Sequence, residues 1–136
     1  MEQVAHSLLE KGADVNAQGG YYKSALQAAS FKGHEAITKV LLEKGANVNA
    51  QGGGYGSALQ AALVRGHEVI VKVLLEKGAD VNAQGGKYGS ALQAASFKGH
   101  EGIVNALLEK GADVNAQGGE YGSALRAASD RGHEAS

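Results

Sequence analysis

The 136-residue sequence contains no cysteine, no proline and no tryptophan, and only 5% of its residues are aromatic. The lack of cysteine excludes a disulfide framework and a thiolate zinc site. It also fits a reducing compartment, so we expect an intracellular, cytoplasmic location. The net charge of −1 gives no long-range attraction to nucleic acid or an anionic membrane. No apolar run approaches the roughly 18 residues of a membrane span, and no signal peptide is recognised.

Glycine, by contrast, occurs 21 times, and without proline it has to supply the turns. Residues 51–68, QGGGYGSALQAALVRGHE, place a glycine-rich stretch before a helix-like segment, as a phosphate-binding loop does. The same motif recurs through the chain, however. No β-strand of a nucleotide-binding unit precedes it and no G-K-S/T follows it, so the sequence does not support a phosphate-binding loop. We therefore interpret the glycines as positive-φ residues of projecting turns, and we expect no cofactor.

A repeat of 33 residues runs through the chain. Each repeat contains the motif NAQGG, which begins at Asn16, Asn49, Asn82 and Asn115. A fixed period of this size is the signature of a stacked repeat array. We therefore expect a single domain over residues 1–136, with whole units at 16–48, 49–81 and 82–114 and partial units at 1–15 and 115–136.

Each unit predicts two short antiparallel helices and a projecting, hairpin-like loop. In unit 82–114, NAQGGKYG predicts a turn, and Ser90 and Gln93 match a capping box at the start of the first helix. Gly99 ends that helix, and a second follows in EGIVNALLEK. Helices this short are marginal alone, so the units must stack into an all-α solenoid. The same capping pairs recur as Ser24/Gln27, Ser57/Gln60 and, with the second partner replaced, Ser123/Arg126.

The pattern AAxxxGHExIVxxLLEKGADVNA resembles the ankyrin repeat over the whole chain. Where that family has D-x-x-G-x-T-P-L-H, residues 85–93 read GGKYGSALQ, with Ser90 in the place of the capping threonine. The resemblance implies binding to another protein and no catalysis. The motif LLEKGADVNAQGGxYGxALQAAS also resembles the ankyrin arrays of large fungal proteins. Those arrays often form the recognition part of nucleotide-dependent signalling proteins. The alternative is an artificial or idealised scaffold, because near-identical repeats suit either origin.

Differences between the units cluster at the loop tip and at the end of the first helix. In ankyrin proteins these two places line the concave face that grips partners, so the resemblance implies a binding strip here. Two other interpretations stay open: exposed positions simply drift, or the tyrosines only pack the loops. We expect Phe31, Val64 and Phe97 to be more exposed than the repeated leucines. The candidate binding residues are Tyr21, Tyr22, Lys23, Phe31, Lys32, Tyr55, Leu63, Val64, Arg65, Lys87, Tyr88, Phe97, Lys98, Glu120, Tyr121, Asp130 and Arg131.

One histidine recurs in each unit, and the four are His34, His67, His100 and His133. Stacked helices lie roughly 8–10 Å apart, so neighbouring histidines cannot share one ion, and we expect no metal. We interpret each as a helix-start residue bonded to the neighbouring loop. The serines of SAL serve as caps, so no Ser/His/Asp set is expected and the chain is not predicted to be an enzyme.

The two partial units cover complementary parts of the repeat. Residues 115–136 supply a first helix that leaves Leu125 exposed, and residues 1–15 supply a second helix that leaves Leu8 exposed. Docking one end on the other recreates a nearly whole unit, in a head-to-tail contact that does not close on itself. We therefore expect weak end-to-end self-association.

Overall fold

The computed structural model describes residues 2–130, which form eight short helices. Even-numbered helices are the first helices of the units and odd-numbered helices are the second ones. Within the described residues the only β-structure consists of isolated bridges. The all-α solenoid of stacked helix-turn-helix repeats is thereby confirmed. The helices are α1 (Glu2–Glu10), α2 (Ala25–Lys32), α3 (Glu35–Glu43), α4 (Ala58–Arg65), α5 (Glu68–Glu76), α6 (Ala91–Lys98), α7 (Glu101–Glu109) and α8 (Ala124–Asp130).

The first helices begin and end as their sequences predict. In α4, the Ser57 hydroxyl accepts a hydrogen bond from the backbone N–H of Gln60 at 3.2 Å, satisfying a free donor of the first turn. The helix ends at Gly66, whose φ of 72° is the left-handed conformation that glycine tolerates best. The small side chains Ala58, Ala61 and Ala62 are buried along α4, so neighbouring first helices approach closely.

The second helices contribute the outer apolar layer. In α5, a glutamate in the first turn complements the helix dipole. Three residues on one face of this helix, Ile70, Val71 and Leu74, are no more than 1% exposed. They pack in one continuous core with Leu59 and Leu63 of the first-helix layer. Since α4 is buried by helices of its own unit and of both neighbouring units, the core exists only where units are stacked.

The loops project as tight hairpins, each closed by one backbone bridge. In the second hairpin, the N–H of Gly52 donates to the carbonyl of Gly56 at 2.9 Å, and Gly56 has a φ of 89°. Lys23 occupies the equivalent place of the first hairpin with a φ of 75°, the one non-glycine residue in the left-handed region among residues 2–130. A side chain there is strained by about 1 kcal/mol. The prediction that glycine supplies positive-φ turn positions is confirmed.

The serine half of the predicted capping box is confirmed, and the predicted return bond of the glutamine side chain is wrong. The Gln60 side chain does not return to the backbone of Ser57; its carbonyl oxygen instead accepts from the Ser57 hydroxyl at 2.7 Å. Its amide donates to the carbonyls of Gly85 and Gly89, at 2.9 and 3.0 Å, at the base of the next hairpin. We call this set of bonds the glutamine clamp, which is formed by Gln27, Gln60 and Gln93.

A second joint connects the turns that follow the second helices. The Asn49 side chain accepts from the backbone N–H of Asp80 at 2.7 Å and donates to the carbonyl of Gly78 at 3.1 Å. These bonds are exposed, and their repetition keeps the same register from one unit to the next. We call this set the asparagine ladder, which is formed by Asn16, Asn49 and Asn82.

Candidate functional site

The two variable places of the repeat lie side by side in the folded chain. The hairpin carries Tyr22 and the last turn of α2 carries Phe31, and their ring centroids are 5.3 Å apart. Phe31 also packs on Tyr55 of the next hairpin at 4.6 Å, in a nearly parallel arrangement. Tyr21 meets Tyr22 edge-on at 5.2 Å. Such aromatic pairs are worth about 0.5–1.5 kcal/mol each beyond the area they bury, so this cluster also joins two units.

An equivalent cluster forms two units further along. Phe97 packs on Tyr88 at 5.3 Å and on Tyr121 at 4.6 Å, which repeats the geometry of the first cluster. Val64 stands at the place of the phenylalanines in the intervening unit and supplies no ring. A row of side chains therefore runs across the units with one gap in its rings. We call it the aromatic strip, and its members are Tyr22, Phe31, Tyr55, Val64, Tyr88, Phe97 and Tyr121.

Cations flank the rings of the strip. The Arg65 guanidinium lies 5.1 Å from the Phe31 centroid, and the Lys32 ammonium lies 5.9 Å from the same point. The Lys98 ammonium is 5.8 Å from the Phe97 centroid, and the Lys87 ammonium is 5.5 Å from that of Tyr88. Contacts of this kind contribute about 0.5–1 kcal/mol at exposed sites. They hold long, flexible side chains in defined positions.

Negative side chains enter the strip at its last unit. Glu120 occupies the hairpin tip of that unit and pairs with Lys87 at 3.8 Å. Asp130 occupies the place of the phenylalanines at the end of α8 and is exposed. The last turns of α2, α4 and α6 each carry a cation, whereas α8 carries Arg126 nearer its start and ends in Asp130.

Two tyrosines of the strip, Tyr55 and Tyr121, have raised pKa values. Burial raises the pKa of Tyr55 above its ordinary value of 10.0, and the neighbouring Tyr21 and Tyr22 raise it further. The pKa of Tyr121 is also raised, by desolvation and by the nearby Glu120. The phenolic groups of Tyr55 and Tyr121 therefore remain hydrogen-bond donors at neutral pH.

Three of the candidate binding residues are buried. Leu63 is 0% exposed and belongs to the core, because it lies on the inner face of α4. Phe31 is only 8% exposed and Tyr88 only 9%, because neighbouring rings and cations cover them. Val64 and Phe97 are half-buried, so they are more exposed than the core leucines as expected. Arg131 lies outside the described residues, and so does His133.

Other candidates are accessible. Tyr21 is 64% exposed, and the side chains of Lys87 and Glu120 are about half exposed. Lys23, Lys32 and Arg65 are exposed as well. The accessible part of the strip thus consists of cations and ring edges around a buried aromatic layer.

The hairpin glycines allow consecutive hairpins to pack backbone against backbone. A Cβ atom on Gly86 would lie 2.5 Å from the carbonyl carbon of Tyr55, and one on Gly53 would lie 2.7 Å from the carbonyl oxygen of Tyr21. The N–H of Glu120 donates to the carbonyl of Lys87 at 2.8 Å, which joins two tips directly. The glycines therefore serve turn geometry and close approach.

The histidines begin the second helices without capping them through their side chains. His67 contacts the carbonyl of Phe31 through Nε2 at 3.0 Å. Its partner is therefore the last turn of α2, the first helix of the preceding unit. Within residues 2–130, no group of three or more His, Asp or Glu side chains is placed to hold a metal ion.

The sequence argument missed the joints between units. Gln27, Gln60 and Gln93 were assigned to caps, and the asparagines were used only to mark the period. One feature of the sequence could have indicated the glutamine clamp: the glutamine is unchanged in three units and is replaced by Arg126 in the last. That change removes the clamp where no further hairpin follows among the described residues.

Comparison with known proteins agrees with the geometry. The family model described as Ankyrin repeats (3 copies) matches residues 1–85 and 54–118. No curated protein matches the chain. None of the helices in the described part of the chain is long and apolar enough to cross a membrane.

Proposed function

The chain belongs to the ankyrin repeat family, and on that basis we propose that it is a non-catalytic protein-binding module whose partner docks along the aromatic strip. Ankyrin repeats in general are modules of protein–protein interaction. One observation supports this location above all others. The residues at the ends of the first helices, which differ between near-identical units, come together with the repeated tyrosines of the hairpins as one row of rings and cations.

The chemistry of the strip suits a protein partner. Protein interfaces are enriched in tyrosine and arginine at their centres. Tyr21 presents an exposed ring that is supported from below by Tyr22 and Tyr55. Because the ring is already held, little side-chain freedom is lost when a partner contacts it. Tyr21 is therefore the proposed anchor at the N-terminal end of the strip.

We also propose that residues 1–136 form one array, with partial units at 1–15 and 115–136, within a larger protein of fungal type. In this view the array is the recognition part of that protein and works in the cytoplasm. The repeated motif LLEKGADVNAQGG supports the fungal-type array, and the absence of cysteine supports the location.

Weak end-to-end association of the 136-residue polypeptide is a further part of the proposal. Leu125 is 78% exposed on α8 and Leu8 is 57% exposed on α1, although leucines at the same places of other units are buried. Leu9, the next residue of α1, is half-buried because it packs on the core. A neighbouring unit in a longer chain would cover both surfaces equally well.

Site-specific photocrosslinking tests the binding face. A photoreactive phenylalanine analogue replaces Tyr21 in one variant and Lys44, on the exposed end of a second helix, in a matched control. We expect discrete crosslinked proteins from a lysate of the source cell only with the reactive group at position 21. Equal crosslinking from both positions, or crosslinking from position 44 alone, contradicts the proposal.

A further inference from the structure

We propose that the aromatic strip binds an acidic segment of the partner, extended in a polyproline II conformation with a carboxylate at every third residue. The carboxylates pair with Lys32, Arg65 and Lys98. This inference rests on the proposed function, because it names the chemistry of the partner at that same surface.

The three cations are held in place without an acidic partner of their own. Arg65 and Lys32 lie within 5.9 Å of the Phe31 centroid, and Lys98 lies 5.8 Å from that of Phe97. None of the three pairs with a carboxylate of residues 2–130, whereas Lys87 is already paired with Glu120. Cations fixed over rings lose little freedom on binding, so they are prepared for an anionic ligand.

The spacing of the cations selects the conformation of the ligand. They stand at the ends of α2, α4 and α6, and packed helices lie about 8–10 Å apart. A polyproline II helix rises about 3.1 Å per residue with three residues per turn, so every third side chain points the same way after about 9 Å. Carboxylates at that interval match the spacing of the helix ends that carry the cations.

The described cations limit where the segment lies. The last turns of α2, α4 and α6 each carry one, whereas that of α8 carries none. The segment therefore runs across the ends of α2, α4 and α6.

The burial of the rings favours a peptide over single-stranded nucleic acid. Proteins that bind single strands stack bases on exposed aromatic faces. Here Phe31 is 8% exposed and Tyr88 is 9% exposed, because their faces are occupied by other rings of the strip. Lys32, Arg65 and Lys98, at the edge of the strip, therefore remain available to carboxylate side chains of a peptide.

Two synthetic peptides of the same composition test the inference. In the first, glutamate stands at every third position with proline and alanine between; in the second, the glutamates are contiguous. Exposed ion pairs are worth about 0.2–1 kcal/mol each, so we expect about ten-fold tighter binding of the first peptide by titration calorimetry. Its affinity should fall as salt rises. Equal affinity of the two peptides overturns the spacing, and tighter binding of a single-stranded oligonucleotide overturns the peptide ligand.

Matched charge reversals locate the site. The triple variant Lys32→Glu, Arg65→Glu, Lys98→Glu should lose peptide binding, whereas Lys44→Glu, Lys77→Glu, Lys110→Glu changes the net charge equally and should retain it. If the first variant is unfolded by circular dichroism, the glutamine substitutions of the same three residues replace it. Binding that survives in either form of the strip variant overturns the inference.

These outcomes are separable from those of the crosslinking experiment. A partner that crosslinks from position 21 but tolerates the strip variant leaves the proposed function standing and removes the acidic ligand. A partner that crosslinks only from position 44 removes the proposed function itself, whatever the peptides do.

Discussion

The guanidinium of Arg65 lies 5.1 Å from the centroid of the Phe31 ring, so the end of α4 covers the end of α2 in the preceding unit. The contact buries the ring and leaves the charge accessible. One side chain therefore contributes both to the joint between units and to the surface that a partner meets. Stability and binding are consequently expected to separate at some positions of the strip and to coincide at others.

Val64→Phe is expected to stabilise the array. The new ring would pack on Tyr55 and Tyr88 as Phe31 and Phe97 pack on their neighbours, and it should raise the free energy of unfolding by about 1 kcal/mol. Urea denaturation measures the change. Val69→Phe, at a residue that is 47% exposed on α5, is the control and should have little effect. A loss of stability in Val64→Phe would show that the ring does not fit.

Gly102→Ala is expected to raise the free energy of unfolding by up to about 1 kcal/mol, because glycine disfavours a helix interior. A Cβ atom at this position has no neighbour within 4 Å. The site borders a cleft of about 160 Å³ between α5 and α7, to which Gly102 and Ala106 contribute little side-chain volume. In the wild type, amides of 101–110 should therefore exchange faster than those of 68–77.

Gly86→Ala is the control for this substitution, since its Cβ would meet the Tyr55 backbone at 2.5 Å and its φ is 68°. It should lower the melting temperature that Gly102→Ala raises. Equal exchange protection of the two helices would contradict the assignment of α7 as the weaker one.

Gln60→Ala is expected to destabilise the array by about 2 kcal/mol, because it removes the side-chain donor to the Gly85 carbonyl and one of the two donors to the Gly89 carbonyl. Thermal unfolding monitored by circular dichroism measures the effect. Gln18→Ala, at an exposed residue of the first loop, should change the melting temperature little. A similar loss in both variants would argue against the clamp.

Stability should fall as the pH rises above about 10, the ordinary pKa of tyrosine. Burial raises the pKa of Tyr55 in the folded chain, so the folded state retains this proton more strongly than the unfolded state. The resulting stabilisation is complete below the unfolded pKa and is lost as the pH passes through the folded one. Tyr55→Phe should weaken this dependence, which urea denaturation between pH 8 and pH 11 would reveal; an unchanged slope would assign it to other groups.

End-to-end association should appear as a sedimentation coefficient that increases with protein concentration. Leu125→Glu places a charge on the exposed end of the array and should abolish the increase. Val69→Glu places the same charge on the side of the array, at another exposed apolar residue, and should leave it unchanged. A monomeric wild type at high concentration rules out the association.

The fold was predictable because its determinants are local and repeated. Ser57 and Gly66 mark the start and end of α4 through backbone geometry that depends on a few adjacent residues. The positions of the variable residues also followed from the period. Their adjacency across units gave no local signal, so the stacking of Phe31 on Tyr55 was not predicted, and neither was its burial.

The joints between units were not predictable for the same physical reason. Gln60 occupies a position that suits a capping box in an isolated helix, and only the presence of the next hairpin offers its amide better acceptors at Gly85 and Gly89. The prediction therefore chose the partner nearest in sequence. Leu63 was misassigned because its variation between units was taken as a sign of exposure, although it lies in the core.

The joints have a genetic consequence. The bond from Gln27 to Gly52 is repeated from Gln60 to Gly85, and the asparagine ladder repeats in the same way. An unequal crossover that inserts or deletes 33 residues, at any point of the period, leaves every such joint complete. The array can therefore lengthen or shorten in one recombination event without a compensating mutation. Each added copy of the 16–48 type would bring the equivalents of Tyr21, Tyr22, Phe31, Lys23 and Lys32 to the surface that meets the partner.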